Sequence, residues 1–242
     1  FGLQAYDRIS GSNNQDGIYS ATLYIDGEAQ AGFELDSIGY DETGYMNAHI
    51  DYSYKHNGGP YLQHLSQLPG DKGPAYSQFS SDGTIQLNDT SVRQARVDVY
   101  DSYGNKSVLE FSIQYNPTPS AAEHADHPHF TPGVISILEK PDFEAYFREH
   151  NFYDTVPVLY YTIQKSSSGS LSALHGLNNP SIPVHGVFTV RVRPNEEIPG
   201  KWLGKVILQR EFGGSRTNRL ARYENGFLVA EFGDFGNFQA FL

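Results

Sequence analysis

No cysteine occurs anywhere in the 242 residues. Disulfides and thiolate metal sites are thereby excluded, although the compartment is not fixed, because a β-sandwich of sufficient size needs no disulfide. Basic residues are scarce: 17 Lys and Arg stand against 28 Asp and Glu, a formal net charge of -11. That excess disfavours nucleic acid as a partner, since affinity for phosphate backbones comes mainly from Lys and Arg. The acidic residues are dispersed rather than blocked, as on a solvated, self-repelling surface. No window approaches the roughly 18 uninterrupted apolar residues of a membrane helix, and no signal peptide is legible. The chain opens at Phe1 without a Met, so the expectation is an excised piece of a longer protein. Nucleophile elbows, P-loops, dinucleotide fingerprints and calcium-loop motifs are missing as well.

What is abundant is turn formers and aromatics, with Gly 24, Pro 13, Tyr 17 and Phe 15. Such a mix favours many short strands over long helices. Residues 17–27 alternate at period two, placing Tyr19, Ala21, Leu23 and Ile25 on a core face, and Asp26-Gly27 predicts a hairpin turn into a returning strand at 29–35. Further strands are predicted at 84–87, 93–100 and 107–115, with Ala95, Val97 and Val99 inward and Arg96 and Asp98 toward water. Residues 101–105 read as a turn with Gly104 or Asn105 at positive φ. Eight more candidate strands follow, at 134–138, 143–147, 156–164, 186–192, 205–209, 217–223, 227–232 and 237–242, with a second hairpin on Asn225-Gly226. The expected fold is all-β, two tandem immunoglobulin-like β-sandwich domains. The first spans 1–115 and the second 131–242, the latter truncated at its C-terminus. Between them residues 116–130, with three prolines and no apolar periodicity, predict a short Pro-rich linker. Residues 41–71 are too long and polar for a hairpin loop and predict an exposed insertion with a role of its own.

Histidine is the residue that raises the question of chemistry. His124, His127 and His129 fall within six positions, and His127-Pro128-His129 has the spacing of a metal-binding pair. A hydrolytic zinc site needs three protein ligands and an open position for water, held by rigid elements. These histidines lie in the linker without such support, so a solvated tether competes with a metal site. A second cluster is His49 and Asp51, with His56 and His64. In an extended strand His49 and Asp51 share a face, which fits either a hydrogen-bonded pair or a metal. Asp7, Asp16, Asp26, Asp41, Glu42 and Asp101 fall near turns, where hard cations are held in sandwiches. Trp202 and the set Tyr52, Tyr54 and Tyr61 are candidates for a carbohydrate-stacking platform, against ordinary packing.

Three stretches of the first half carry a resemblance: Gly2–Arg8 with Asn14–Asp26, Phe33–Tyr52, and Val97–Asn105. In the second half Asn151–Pro157, Pro183–His185 and Phe232–Gly236 extend it. Together they resemble the region that follows the catalytic domain in Bacteroidetes-type members of the lysostaphin/LytM-like zinc peptidoglycan endopeptidases. The resemblance implies a periplasmic or cell-envelope parent that cleaves peptidoglycan, with zinc bound in its own upstream catalytic domain and no cofactor in this fragment. That catalytic domain carries H-x-x-x-D and then H-x-H. Here His150 and Asp154 give the first spacing, but the only H-x-H precedes it, so no catalytic residue is carried over.

Two functions are therefore expected in competition. One is a non-catalytic accessory region that positions or regulates the peptidase, or binds an envelope partner. The other is a glycan-binding module using loop aromatics and the 41–71 insertion, on a surface formed by His49, Asp51, Tyr52, Tyr54 and Tyr61. A metal-dependent hydrolase using the linker histidines is a third possibility.

Overall fold

The structure is a computed structural model and describes residues 1–8, 11, 13–79, 81–117, 128–164 and 169–242. The chain is all-β in class and divides into two compact units, Phe1–Ala125 and Asp126–Leu242.

In the first unit β1 (Gly2–Leu3), β2 (Ser20–Ile25), β3 (Glu28–Glu34), β4 (Gln63–His64), β5 (Arg93–Tyr100) and β6 (Lys106–Ile113) follow in order. Strands β3-β2-β5-β6 form one antiparallel sheet, and β1 pairs with β4 in a separate ribbon. The β2–β3 hairpin closes on Asp26 (φ 51°) and Gly27 (φ 88°), both left-handed as a two-residue turn of matching twist demands. Ala21, Leu23, Phe33, Ala95 and Val97 line the inner face, each almost fully buried. The opposing layer is largely irregular: Leu3, Leu65, Ala75 and Tyr76 pack onto that face from segments outside the main sheet. The 41–71 segment thus supplies core as well as surface. It folds into a 3-10 helix at Tyr40–Tyr45, α1 (Met46–His49) and α2 (Tyr52–His56), and a second 3-10 turn follows at Pro74–Tyr76.

Gly32 permits a close approach on this sheet. A Cβ there would stand 2.2 Å from the Ala21 carbonyl oxygen and 2.9 Å from the Phe79 ring. Gly32→Ala is expected to cost about 1–3 kcal/mol of first-unit stability through overpacking. Urea unfolding followed at the methyl of Met46, the sole methionine, measures it.

The second unit contains β7 (His129–Phe130), β8 (Ser136–Lys140), β9 (Phe143–Phe147), β10 (Val156–Pro157), β11 (Tyr160–Ile163) and β12 (Leu174–Leu177). Then come β13 (Phe188–Val192), the short helix α3 (Gly200–Leu203), β14 (Ile207–Phe212), β15 (Ser215–Leu220), β16 (Arg222–Glu224), β17 (Phe227–Phe232) and β18 (Gly236–Phe241). Two five-stranded sheets, β11-β12-β18-β14-β15 and β16-β17-β13-β9-β8, form the sandwich. Alternation decides the inner faces: Phe143, Ala145 and Phe147 from β9, and Phe188, Val190 and Val192 from β13, are all buried, with intermediate neighbours between them. Phe130, Phe147, Phe152, Phe188 and Phe235 meet at one end, with Phe147 centred 4.6 Å from both Phe130 and Phe188. Burying each such ring contributes about 1.5–3 kcal/mol.

Several expectations are corrected. Residues 84–87 are irregular rather than a strand. The apolar run 156–164 breaks after Pro157, β10 pairing with β7 and β11 with β12. The run 217–223 divides at Ala221, whose N–H donates to the Val206 carbonyl (2.9 Å), so the chain changes sheets there. Strand β7 lies inside the span read as linker, because Pro128 and His129 find partners far along the chain: the Pro128 carbonyl accepts from Val158 N (2.8 Å), and His129 pairs with Pro157. Asp98, expected in water, is buried on the outer face of the first sheet. Arg96 (Nε, 3.1 Å) and Lys106 (Nζ, 2.9 Å) pair with its carboxylate. Their long stems fold over it while the Arg96 guanidinium lies on the Tyr24 ring.

Candidate functional site

The 41–71 insertion and the N-terminal segment of the first unit enclose a cleft of about 610 Å³. Its wall includes Tyr6, Met46, His49, Lys55, Tyr61 and Gln63. The size lies in the range of small-ligand pockets. Helix α1 brings Met46 and His49 to the wall, one turn apart on one face. Ile50 then turns into extended backbone at φ -114° and ψ 158°, so Asp51 starts a new helix.

His49 is 2% exposed and centred 4.5 Å from Phe33 in an edge-on contact. Its Nδ1 lies 3.0 Å from the Tyr76 hydroxyl, which donates to the His64 carbonyl at 2.9 Å. A tyrosine has one hydroxyl proton, and we assign it to the His64 carbonyl, the shorter of the two contacts. His49 Nδ1–H is therefore the donor, and the neutral ring carries its lone pair on Nε2. Burial pushes the His49 pKa down to about 4, His64 adding to the effect and the Gln63 amide opposing it. Nε2 and Gln63 Oε1 are both buried without a hydrogen bond. Two acceptors meet there, so Gln63 favours a proton on the ring without bonding to its neutral form.

At the end of the insertion Asp71, 7% exposed, accepts from Gly73 N (2.8 Å) through Oδ1, while its carbonyl accepts from Gln67 Nε2 (2.9 Å). Burial raises its carboxyl pKa to about 6, the Gly73 bond offsetting part of the shift. Burial chiefly, and the Asp71 charge secondarily, push the Tyr76 hydroxyl well above its ordinary value.

The expected His49–Asp51 pair does not form. Asp51 caps α2, its Oδ1 accepting from Tyr54 N at 2.9 Å, because the helical turn separates it from the His49 face. Tyr52 stacks on His56, with centroids 6.0 Å apart. Tyr54 lies across Gly59, whose N–H donates to the Tyr54 carbonyl (2.9 Å). Lys55 Nζ sits 3.9 Å over the Tyr61 ring. The three tyrosines share one segment but do not present three free faces; of them only Tyr61 lines the cleft. Trp202 packs against the second core with Lys205 Nζ 4.9 Å over its ring.

The carboxylates of Asp26, Glu42 and Asp101 are engaged by backbone N–H groups. Asp101 accepts from the N–H groups of Tyr103 and Asn105 and from Asn105 Nδ2, and Gly104 takes the positive φ of that turn at 83°. Glu42 accepts from Gly39 N, and Asp26 from Gln94 N and Arg93. Asp7 and Asp16 are joined through their backbones. Among the described residues no three of His, Asp and Glu are placed to share a metal ion. His124 and His127 lie outside the described residues, and His129 is an exposed strand residue.

In the second unit the residue that sequence reasoning overlooked is Asn151. It is fully buried and its side chain bridges three backbone groups: Oδ1 accepts from Arg148 N (2.6 Å), and Nδ2 donates to the carbonyls of His185 (2.6 Å) and Val187 (3.2 Å). The Tyr153 hydroxyl is 3.0 Å from His185 Nδ1, and the His150 ring stands edge-on to His185 at 5.8 Å. Asp154 turns to Thr155 N (2.7 Å). Across the sandwich Tyr160 and His175 repeat the pairing at 2.9 Å, and burial lowers the His175 pKa to about 4. Three histidines thus act as internal struts for tyrosine hydroxyls. No local spacing announces such pairs, since His49 and Tyr76 are 27 residues apart.

No curated protein matches the chain. Residues 130–241, from the end of β7 through the close of β18, are similar to a family described as the Zu5-like domain.

Proposed function

We propose that this chain is the non-catalytic accessory region of a cell-envelope zinc endopeptidase acting on peptidoglycan, with the first unit as its recognition surface and the second as a rigid support. The carrying observation is the division of labour among the polar groups. In the second unit the stretches that resemble the peptidase family bind one another: Asn151 holds His185, Tyr153 reaches the same histidine, and Phe152 stacks on Phe235. In the first unit the most family-like stretch, residues 41–51, builds a wall of the open cleft. The polar groups of the second-unit stretches are engaged in holding the fold, while the cleft remains accessible. Zinc belongs, in this reading, to the parent's catalytic domain, and the protein to the periplasm or envelope.

Incubation of the chain with purified sacculi and zinc is expected to release no soluble muropeptide. Release that depends on zinc and on His150 and Asp154 would replace the accessory role with a hydrolytic one. The cleft also favours the glycan-binding version of the role over pure protein docking, because it is concave and lined by aromatic and amide side chains.

A further inference from the structure

Two buried acceptors, on residues that line the cleft, have no donor. His49 Nε2 carries a lone pair by the proton count at Tyr76, and Gln63 Oε1 has no hydrogen bond; the two residues are 2% and 8% exposed. An unmet buried acceptor is destabilising, because it has lost its water without gaining a donor. A ligand that recovers this cost must bring hydrogen-bond donors. Beside the acceptors the wall is apolar, with Met46 and Ile50, and the charged Lys55 and Asp16 lie on the same rim. The opposite charges favour a neutral ligand over an anion or cation.

We infer that the cleft binds a neutral saccharide bearing an acetamido group, whose N–H and a neighbouring hydroxyl donate to His49 Nε2 and Gln63 Oε1 while its methyl meets Met46 and Ile50. An acetamido group joins an N–H donor and a methyl within one rigid plane, as the acceptor pair beside an apolar wall requires. A simple polyol would satisfy the acceptors and leave the wall uncovered. A peptide would bring as many carbonyls as donors, whereas both unmet groups are acceptors. The inference rests on the accessory reading above and names its ligand class.

Met46 is the only methionine, so its ¹³C-methyl resonance reports on this wall alone. Titration with N,N′-diacetylchitobiose is expected to move that resonance saturably, and cellobiose to bind at least tenfold more weakly. In the same samples the ¹⁵N resonance of His49 Nε2 moves upfield as it gains a donor. Gln63→Leu, which removes one acceptor, is expected to weaken diacetylchitobiose about tenfold. A Met46 resonance unmoved by either sugar, moved equally by both, or moved with His49 unchanged overturns the inference. So does saturable binding of N-acetyl-dialanine alone, which would make the cleft a peptide site. The His49 readout comes from the unaltered chain and decides the matter even where Gln63→Leu fails to fold. If the sugars fail while the chain still sediments with sacculi, the inference falls and the accessory reading stands; the reverse result sinks the accessory reading alone.

Discussion

Asn151→Ala is expected to be among the most destabilising single substitutions in the second unit, lowering its stability by about 3–5 kcal/mol. The amide replaces a stretch of ordinary backbone pairing where the chain turns between β9 and β10. Its oxygen receives Arg148 N, and its nitrogen serves the carbonyls of His185 and Val187. The backbone of the same residue adds two bonds, to the Arg148 carbonyl and from His185 N. Alanine retains the backbone bonds but leaves one N–H and two carbonyls without the amide, in a region where Asn151 itself is fully buried. Trp202, the sole tryptophan, packs on this core, so its fluorescence in urea follows the second unit. A loss below about 1 kcal/mol would mean that water replaces the amide and that the knot is not a structural centre.

The second large effect concerns pH in the first unit. Asp71 has a folded pKa raised to about 6 against an ordinary 3.8. Its favourable contribution is complete below pH 3.8 and is lost as the pH rises through 6, because the folded state resists ionisation there. The difference is about 3 kcal/mol at neutral pH. Asp71→Asn keeps an oxygen for Gly73 N and cannot ionise. The variant is therefore expected to exceed the parent chain by about 3 kcal/mol above pH 6, with the advantage gone by pH 4. Urea unfolding at the Met46 methyl across that range measures it, and parallel curves for the two proteins would contradict the buried-carboxyl assignment. His49 works in the opposite sense. With its pKa lowered to about 4, its contribution is complete above pH 6.5 and is lost as the pH falls toward 4. In the parent chain the two slopes oppose each other between pH 6 and 4, and Asp71→Asn unmasks the histidine. His175, at about 4 in the second unit, has the same sign as His49, so acidification over this window is expected to lower the Trp202 transition.

Much of the fold was legible because period-two patterning records which face is buried. Tyr19 apart, which is only partly covered, the predicted inward set of β2 is buried, as are Ala95, Val97 and Val99. Both glycine hairpins were readable too, since Asp26-Gly27 and Asn225-Gly226 adopt the left-handed backbone that such pairs favour. Where patterning failed, tertiary partners had overridden local composition. Leu174–Leu177, with a histidine and a glycine in four residues, has little strand character of its own, yet it lies between β11 and β18. Likewise Pro128 and His129 read as linker because nothing nearby revealed Val156–Val158 as their partner.

The candidate site was legible only in its address. An insertion rich in tyrosine and histidine pointed to residues 41–71, and of the residues named there His49 and Tyr61 line the cleft. The roles within it were not readable. Asp51 became a helix cap because two short helices replaced the extended strand that would have paired it with His49. Gln63, Met46 and Lys55 carry no chemical signature in sequence, and the buried state of Asp71 depends on the layer packed over it. Asn151 was hidden for the same reason: an asparagine before Phe-Tyr reads as a turn residue until His185 and Val187 arrive beside it.

Sedimentation with purified peptidoglycan sacculi tests the accessory role most directly. The intact chain is expected to pellet with sacculi in a saturable manner, and Tyr61→Ala with Lys55→Ala to reduce the pelleted fraction severalfold while Trp202 unfolding stays unchanged. A chain that remains in the supernatant at every sacculus concentration would contradict a role at the cell wall.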